Sequence, residues 1–255
     1  MNIINYLLVI ILPVFYAGGM VTNSKSKAVT MEVNEAPVYK VERLKKKLKI
    51  DGDWNKAQWK KIEPIRITNY MGKIPPFQPE VQSKMMYDDT HVYVIFQVKD
   101  RFVKSVVTEY NGNVSGDSCV EFFFSPDEQF PLKYFNLEIN AGGTPLMFYI
   151  EKPMTELIKL PGDDLKQIEI AHSLPKTVDP EIAEPVTWTI EYSIPLSLLS
   201  KYSNLTRPAK GVNWKANFYK TGSRTSNPNY ITWAVVDNPR PNFHLPQFFG
   251  TIQFQ

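Results

Sequence analysis

The sequence predicts an all-β protein, a two-layer antiparallel β-sandwich with very little helix. Three observations carry that reading. About ten short runs alternate apolar and polar residues with period two. The 20 prolines and 12 glycines fall between those runs as punctuation. Only two stretches, 53–61 and 196–199, have a helical pattern, and each is a turn or two long. Short strands at this spacing bury their apolar rows by packing two sheets face to face, in a jelly-roll or immunoglobulin-like arrangement.

The elements follow in order. Val92, Val94, Phe96 and Val98 alternate with Tyr93, Ile95 and Gln97, in a strand entered through the turn Asp88-Asp89-Thr90. Val120, Phe122 and Phe124 alternate with Glu121 and Phe123. Phe135, Leu137 and Ile139 alternate with Asn136, Glu138 and Asn140, and a second run from Leu146 to Ile150 follows Ala141-Gly142-Gly143. Residues 133–151 therefore read as a hairpin. Trp188, Ile190, Tyr192 and Ile194 form the next apolar row, ended by Pro195, and Trp214, Ala216 and Phe218 form another. Short strands at 230–235 and 249–254 close the chain.

Composition bounds the function. The 255 residues are 43% hydrophobic and 22% charged, an ordinary globular balance that supports one core over residues 37–255. The formal charge of +3 arises from 29 basic and 26 acidic residues, too small an excess to favour nucleic acid. Lys45, Lys46, Lys47 and Lys49 are interleaved by Leu44, Leu48 and Ile50, as on the solvated side of a strand. Cys119 is the single cysteine, which excludes an internal disulfide and reads as a buried thiol.

The first nineteen residues read as an export signal and 20–36 as a linker. The apolar run 6–16 is too short to span a bilayer, and Ala17-Gly18-Gly19 supplies small residues for cleavage. No Lys or Arg precedes that run, and the competing reading is an uncleaved anchor. Cleavage would leave no stable membrane span and would deliver the chain to the periplasm, cell surface or medium.

Period two also sorts the polar side chains. Glu121, Glu138 with Asn136 and Asn140, Glu191, and Lys215 with Asn217 oppose the apolar rows of their own strands. The face they share is either the solvated side of a sheet or a concave polar binding face.

A set of motifs then recurs through nearly the whole chain. It runs Ile50-Asp51-Gly52-Asp53-Trp54 with Trp59, Met86-Tyr87-Asp88-Asp89, Asp117 with Val120-Glu121-Phe122-Phe123, and Asn136-Leu137-Glu138-Ile139-Asn140 with Gly143. Trp188-Thr189-Ile190-Glu191, Ile194-Pro195, Trp214 with Asn217-Phe218-Tyr219, Trp233, Phe243-His244 and Phe249-Gly250 complete it. In order and spacing the chain resembles a family 9 carbohydrate-binding module of stand-alone, exported kind. The resemblance implies a sandwich that binds sugar without hydrolysing it, with any glycoside hydrolase partner on a separate protein. It also implies structural calcium in some members and haem in related sandwiches.

The residues themselves leave other chemistries open. A glycoside hydrolase needs two carboxyl groups flanking the scissile bond, and Glu121, Glu138 and Glu191 are strand carboxylates that could approach one another. An exported surface or assembly sandwich with no sugar ligand is the remaining class. His91, His172 and His244 have no metal-ligand spacing. Calcium would draw on Asp88-Asp89 or Asp163-Asp164, and haem on Met85, Met86 or Met147 with a histidine. No cofactor is the expected state. For a sugar, aromatic rings stack on the C–H face of a pyranose, while carboxylates, amides and arginine order its hydroxyls. Trp59, Trp188 and Trp214 fall on apolar rows and read as core. Trp233 or Tyr110, in or beside turn-rich loops, is the candidate platform, with Asp117, Glu121, Arg224 and Asn217 as hydroxyl partners.

Overall fold

The computed structural model describes residues 36–255. The segments read as export signal and linker lie outside the described residues, apart from residue 36.

Sixteen strands account for nearly all regular structure. In chain order they are β1 (Val38–Arg43), β2 (Ile65–Ile67), β3 (Asn69–Tyr70), β4 (Glu80–Tyr87), β5 (His91–Asp100), β6 (Val103–Ser105), β7 (Cys119–Ser125) and β8 (Tyr134–Asn140). They continue with β9 (Pro145–Lys152), β10 (Glu156–Lys159), β11 (Glu169–His172), β12 (Val178–Ile182), β13 (Val186–Pro195), β14 (Asn213–Thr221), β15 (Tyr230–Thr232) and β16 (Gly250–Phe254). Two α-helical turns, α1 (Gly162–Leu165) and α2 (Leu196–Ser200), interrupt them. The helical pattern at 53–61 yields only a 3₁₀ turn at Trp59–Lys61. Among the described residues no helix is long and apolar enough to cross a membrane.

One layer runs β10-β9-β8-β7-β14-β16 and the other β4-β5-β13-β11. Strand β1 joins them, pairing with β16 through Val38–Val41 and with β4 through Glu42 and Arg43. Both β1 pairings are parallel, a departure from the otherwise antiparallel ladders of the two layers. The hairpin expected over 133–151 is β8–β9. The apolar rows meet between the layers: Val94, Phe96, Trp188 and Ile190 from one pack with Phe122, Phe124, Leu137, Trp214 and Phe218 from the other. The Phe96 and Phe218 rings lie 6.0 Å apart across that core. Burying a side chain of this size contributes about 1.5–3 kcal/mol, so these rows are the main source of stability.

Candidate functional site

Alternation sends the other half of β7, β8 and β14 to the outer face of their layer. Phe123, Tyr134 and Tyr219 emerge there and are buried in turn by the segment 236–249 that crosses the sheet. Phe243 stacks on Tyr219 with ring centroids 4.1 Å apart, and Tyr219 donates to the Phe243 carbonyl. With Pro239, Pro241 and Pro246 the segment makes no ladder of its own, so side chains hold it. Where it stops covering the sheet, a cavity of about 380 Å³ remains.

The floor of this cavity is Glu121 and Phe123 from β7, Glu138 from β8 and Thr221 from β14. Its walls are Tyr230 from β15, the 241–244 stretch, Met154, and the serines Ser115 and Ser223. Glu121 and Glu138 sit directly opposite each other in the β7–β8 register. Cross-strand neighbours have Cβ atoms about 5 Å apart, so the two carboxyl groups lie side by side. Both are almost fully buried. Glu138 accepts from Asn136 Nδ2 at 2.9 Å, whereas the Glu121 carboxyl has no hydrogen-bond partner among the described residues. His244 rests against Phe123 with ring centroids 5.1 Å apart, and its Nδ1 lies 2.9 Å from the Tyr134 hydroxyl.

Burial dominates the electrostatics. It pushes Glu121 well above the usual carboxylate range, and the neighbouring Glu138 adds to that. Burial lifts Glu138 to about 7, opposed by the Asn136 hydrogen bond. Burial also lowers His244, leaving its ring neutral near pH 7. The stability consequence has a definite sign. Glu138 keeps its proton in the folded chain above its ordinary 4.5, so the stabilisation is complete at lower pH and is lost as pH rises through about 7. Relative to Glu138→Gln, the wild-type melting temperature falls by on the order of 5 °C between about pH 5 and pH 8. Thermal melts of both proteins check this, and parallel pH profiles would contradict it.

Of the six residues singled out from sequence, Glu121 alone lines the cavity. Asn217 is buried and bonds Ala234 through both ends of its amide, holding the chain after β15. Asp117 is buried, and its Oδ2 accepts from Val106 N, Val107 N and Asn140 Nδ2, each at 2.9 Å. Arg224 is exposed, its stem lying over Gly116. Tyr110 is 44% exposed, with its ring beside Gly162. Trp233 packs on the core, edge-on to Phe218 at 5.8 Å. A Cβ at Gly250 would meet the Trp233 ring at 2.6 Å, so that ring needs glycine beneath it.

The polar face divides between the layers. Glu121, Glu138, Asn136, Asn140 and Asn217 share the outer face of one layer. Glu191 belongs to the other layer and is buried beneath the motif that begins at Ile50. The aspartates considered for calcium are engaged: Asp88 by Thr90, His91 and Tyr93, and Asp164 by Lys201 and Tyr202. Met85, Met86 and Met147 are buried side chains. The wall residues Tyr230, Ser115, Ser223 and Met154 carry no periodic signal, because they come from loops and strand ends. Glu138 and Phe243-His244 were visible as motif residues whose meeting place the sequence does not state.

The model of a family described as carbohydrate-binding family 9 matches residues 47–254. No curated protein matches the chain. Among solved structures the chain is similar to a candidate carbohydrate-binding protein from Bacteroides uniformis. The identity is 26% and the TM-score 0.77, over 87% of this chain and 100% of that one. Its fold is also similar to that of a carbohydrate-binding module family 9 from Caldicellulosiruptor kristjanssonii in complex with cellotriose. There the identity is 18% and the TM-score 0.59, over 86% of this chain and 94% of that one. The module from the same organism in complex with glucose aligns at 17% identity and a TM-score of 0.58, over 86% and 96% of the two chains. The chain belongs to carbohydrate-binding family 9.

Proposed function

We propose that the protein binds carbohydrate without cutting it, in the cavity over Glu121 and Glu138. The observation that carries this reading is the Glu121 carboxyl, which is 2% exposed, faces the cavity and lacks a hydrogen-bond partner among the described residues. Its oxygens meet the cavity rather than a protein donor, so they are free to accept from sugar hydroxyls, and one or two such bonds contribute about 1–3 kcal/mol. Around it Thr221, Ser115 and Ser223 offer hydroxyls, while Phe243 and Tyr230 offer apolar ring surface for a pyranose face. The volume is at the small end of small-molecule sites. Both acids rise from one floor and so lie on one side of any occupant. Hydrolysis needs carboxyl groups flanking the scissile bond, so the arrangement favours holding over cleavage. The sugars bound by the Caldicellulosiruptor module support the reading by family. Export and cooperation with separate glycan-cleaving enzymes complete it.

Glu121→Leu removes the hydrogen-bonding group and keeps the volume. It should weaken binding by about 2 kcal/mol, roughly thirtyfold, while raising or preserving the melting temperature. Calorimetry against a panel of gluco-, manno- and xylo-oligosaccharides, with thermal melts alongside, provides the check. Wild-type affinity in Glu121→Leu would move the site elsewhere, and silence of the wild type across the panel would favour an assembly role.

A further inference from the structure

The cavity floor carries two carboxyl groups, and no lysine or arginine lines the cavity. Asn136 Nδ2 is the one side-chain donor to the pair among the described residues. The nearby cation Lys220 points to the opposite face of its strand, where it pairs with Asp100. We propose, building on the carbohydrate reading, that the cavity selects sugars by charge: it prefers a hexose bearing a protonated amine to a neutral hexose, and it excludes a uronic acid.

The other titratable groups around the pair come from every element packed on it. They are Cys119 on β7, Tyr134 on β8, Tyr219 on β14, Tyr230 on β15 and His244 on the covering segment. Burial raises the Cys119, Tyr134 and Tyr219 groups and lowers His244, so these four are neutral near pH 7. Asp117, the remaining acid, is held by three donors away from the cavity lining. The two glutamates are therefore the acidic groups of the lining itself, while Arg224, next to Ser223, and Arg240, next to Pro241, are exposed outside it.

Unoccupied, the pair limits its own charge by holding protons, because both carboxyl groups are buried side by side and no lysine or arginine lines the cavity. An ammonium group placed over them stabilises the ionised form, so an amino sugar releases a proton from the pair as it binds. A neutral hexose bonds the protonated pair with no such exchange. A ligand carboxylate adds a third acid with no partner.

Isothermal titration of the full chain at about pH 7 tests this with D-glucose, D-glucosamine and D-glucuronate and with their β-1,4 trimers. Amines of this type are still largely protonated there. The expected order is amino sugar about tenfold tighter than neutral sugar, with the uronic acid at least about tenfold weaker than neutral. Repeating the amino-sugar titration in two buffers of different ionisation enthalpy should show proton release, and Glu138→Gln should shrink both the preference and the release. Equal affinities, a tighter uronic acid, or a neutral sugar that outbinds its amino counterpart would overturn the inference while leaving carbohydrate binding intact. Failure of all six ligands would overturn this inference, and silence across the gluco-, manno- and xylo-oligosaccharide panel as well would remove the carbohydrate reading with it.

Discussion

Replacing Glu191 with alanine should destabilise the protein by about 3–5 kcal/mol, an effect on the scale of a large core truncation. Its fully buried carboxylate accepts from Lys56 Nζ, Trp59 Nε1, Asp51 N and Gly52 N at 2.7–2.9 Å. Alanine strands the Trp59 indole N–H and the Asp51 and Gly52 amides, and it takes from the mostly shielded Lys56 ammonium one of its two carboxylate partners. The same donors pin the segment that buries Leu48, Ile50, Trp59 and Ile62 against Met86, Tyr93 and Ile95. Freeing it exposes that apolar surface too. Urea unfolding measures the loss, and a change below about 1 kcal/mol would show that the carboxylate is not the anchor. Glu191→Gln should fall between, because an amide keeps an acceptor but leaves Asp51 as the one counter-charge of Lys56 among the described residues.

The second large effect is expected at Lys220. This lysine and Asp100 are each 1% exposed at the side chain, with Nζ 2.9 Å from Oδ2. The approach is an ion pair without hydrogen-bond alignment, and Lys220 Nζ also lies 3.0 Å from Asn229 Oδ1. Lys220→Met leaves a buried, uncompensated carboxylate and should cost about 3–5 kcal/mol. Adding Asp100→Asn removes that charge and keeps an acceptor for the Arg101 amide, so the double variant should recover to within about 1 kcal/mol of wild type. Unfolding of the two single variants and the double variant closes the cycle. A double variant as unstable as Lys220→Met alone would contradict the charge explanation. The pair has functional weight because β14 carries both Lys220 and the cavity residue Thr221, and the ion pair fixes that strand end to β5 of the other layer.

Much of the sandwich was legible because period two is strict in the chain's best strands. The Val120-Phe122-Phe124 and Phe135-Leu137-Ile139 rows gave both the elements and the faces of Glu121 and Glu138. Strands with mixed patterns were harder. In β1 most positions of Val-Tyr-Lys-Val-Glu-Arg are exposed or half-buried, and β4 buries Lys84 among apolar neighbours. Alternation also says which side of a strand a residue occupies, but not which layer the strand joins. Glu191 and Glu121 therefore looked alike, although one anchors a segment and the other faces a cavity. The covering segment 236–249 was the other blind spot. A proline-rich stretch gives no periodicity, so nothing local shows that Phe243 would lie on Tyr219 and leave a pocket beside it.

The pairing of β1 with β16 has a consequence for how the protein is made. Residues 38–41 meet residues 251–254, so the first of these strands to leave a ribosome waits for a partner far along the chain. Until then Val41 lacks its neighbour on that side, and Ile252 and Phe254, both fully buried when folded, are missing from the core. Contacts this distant in sequence form slowly, because a long loop must close before they contribute. A nascent chain of this kind holds an open sandwich edge until residues 251–254 are made, and a chain cut before them would keep it open.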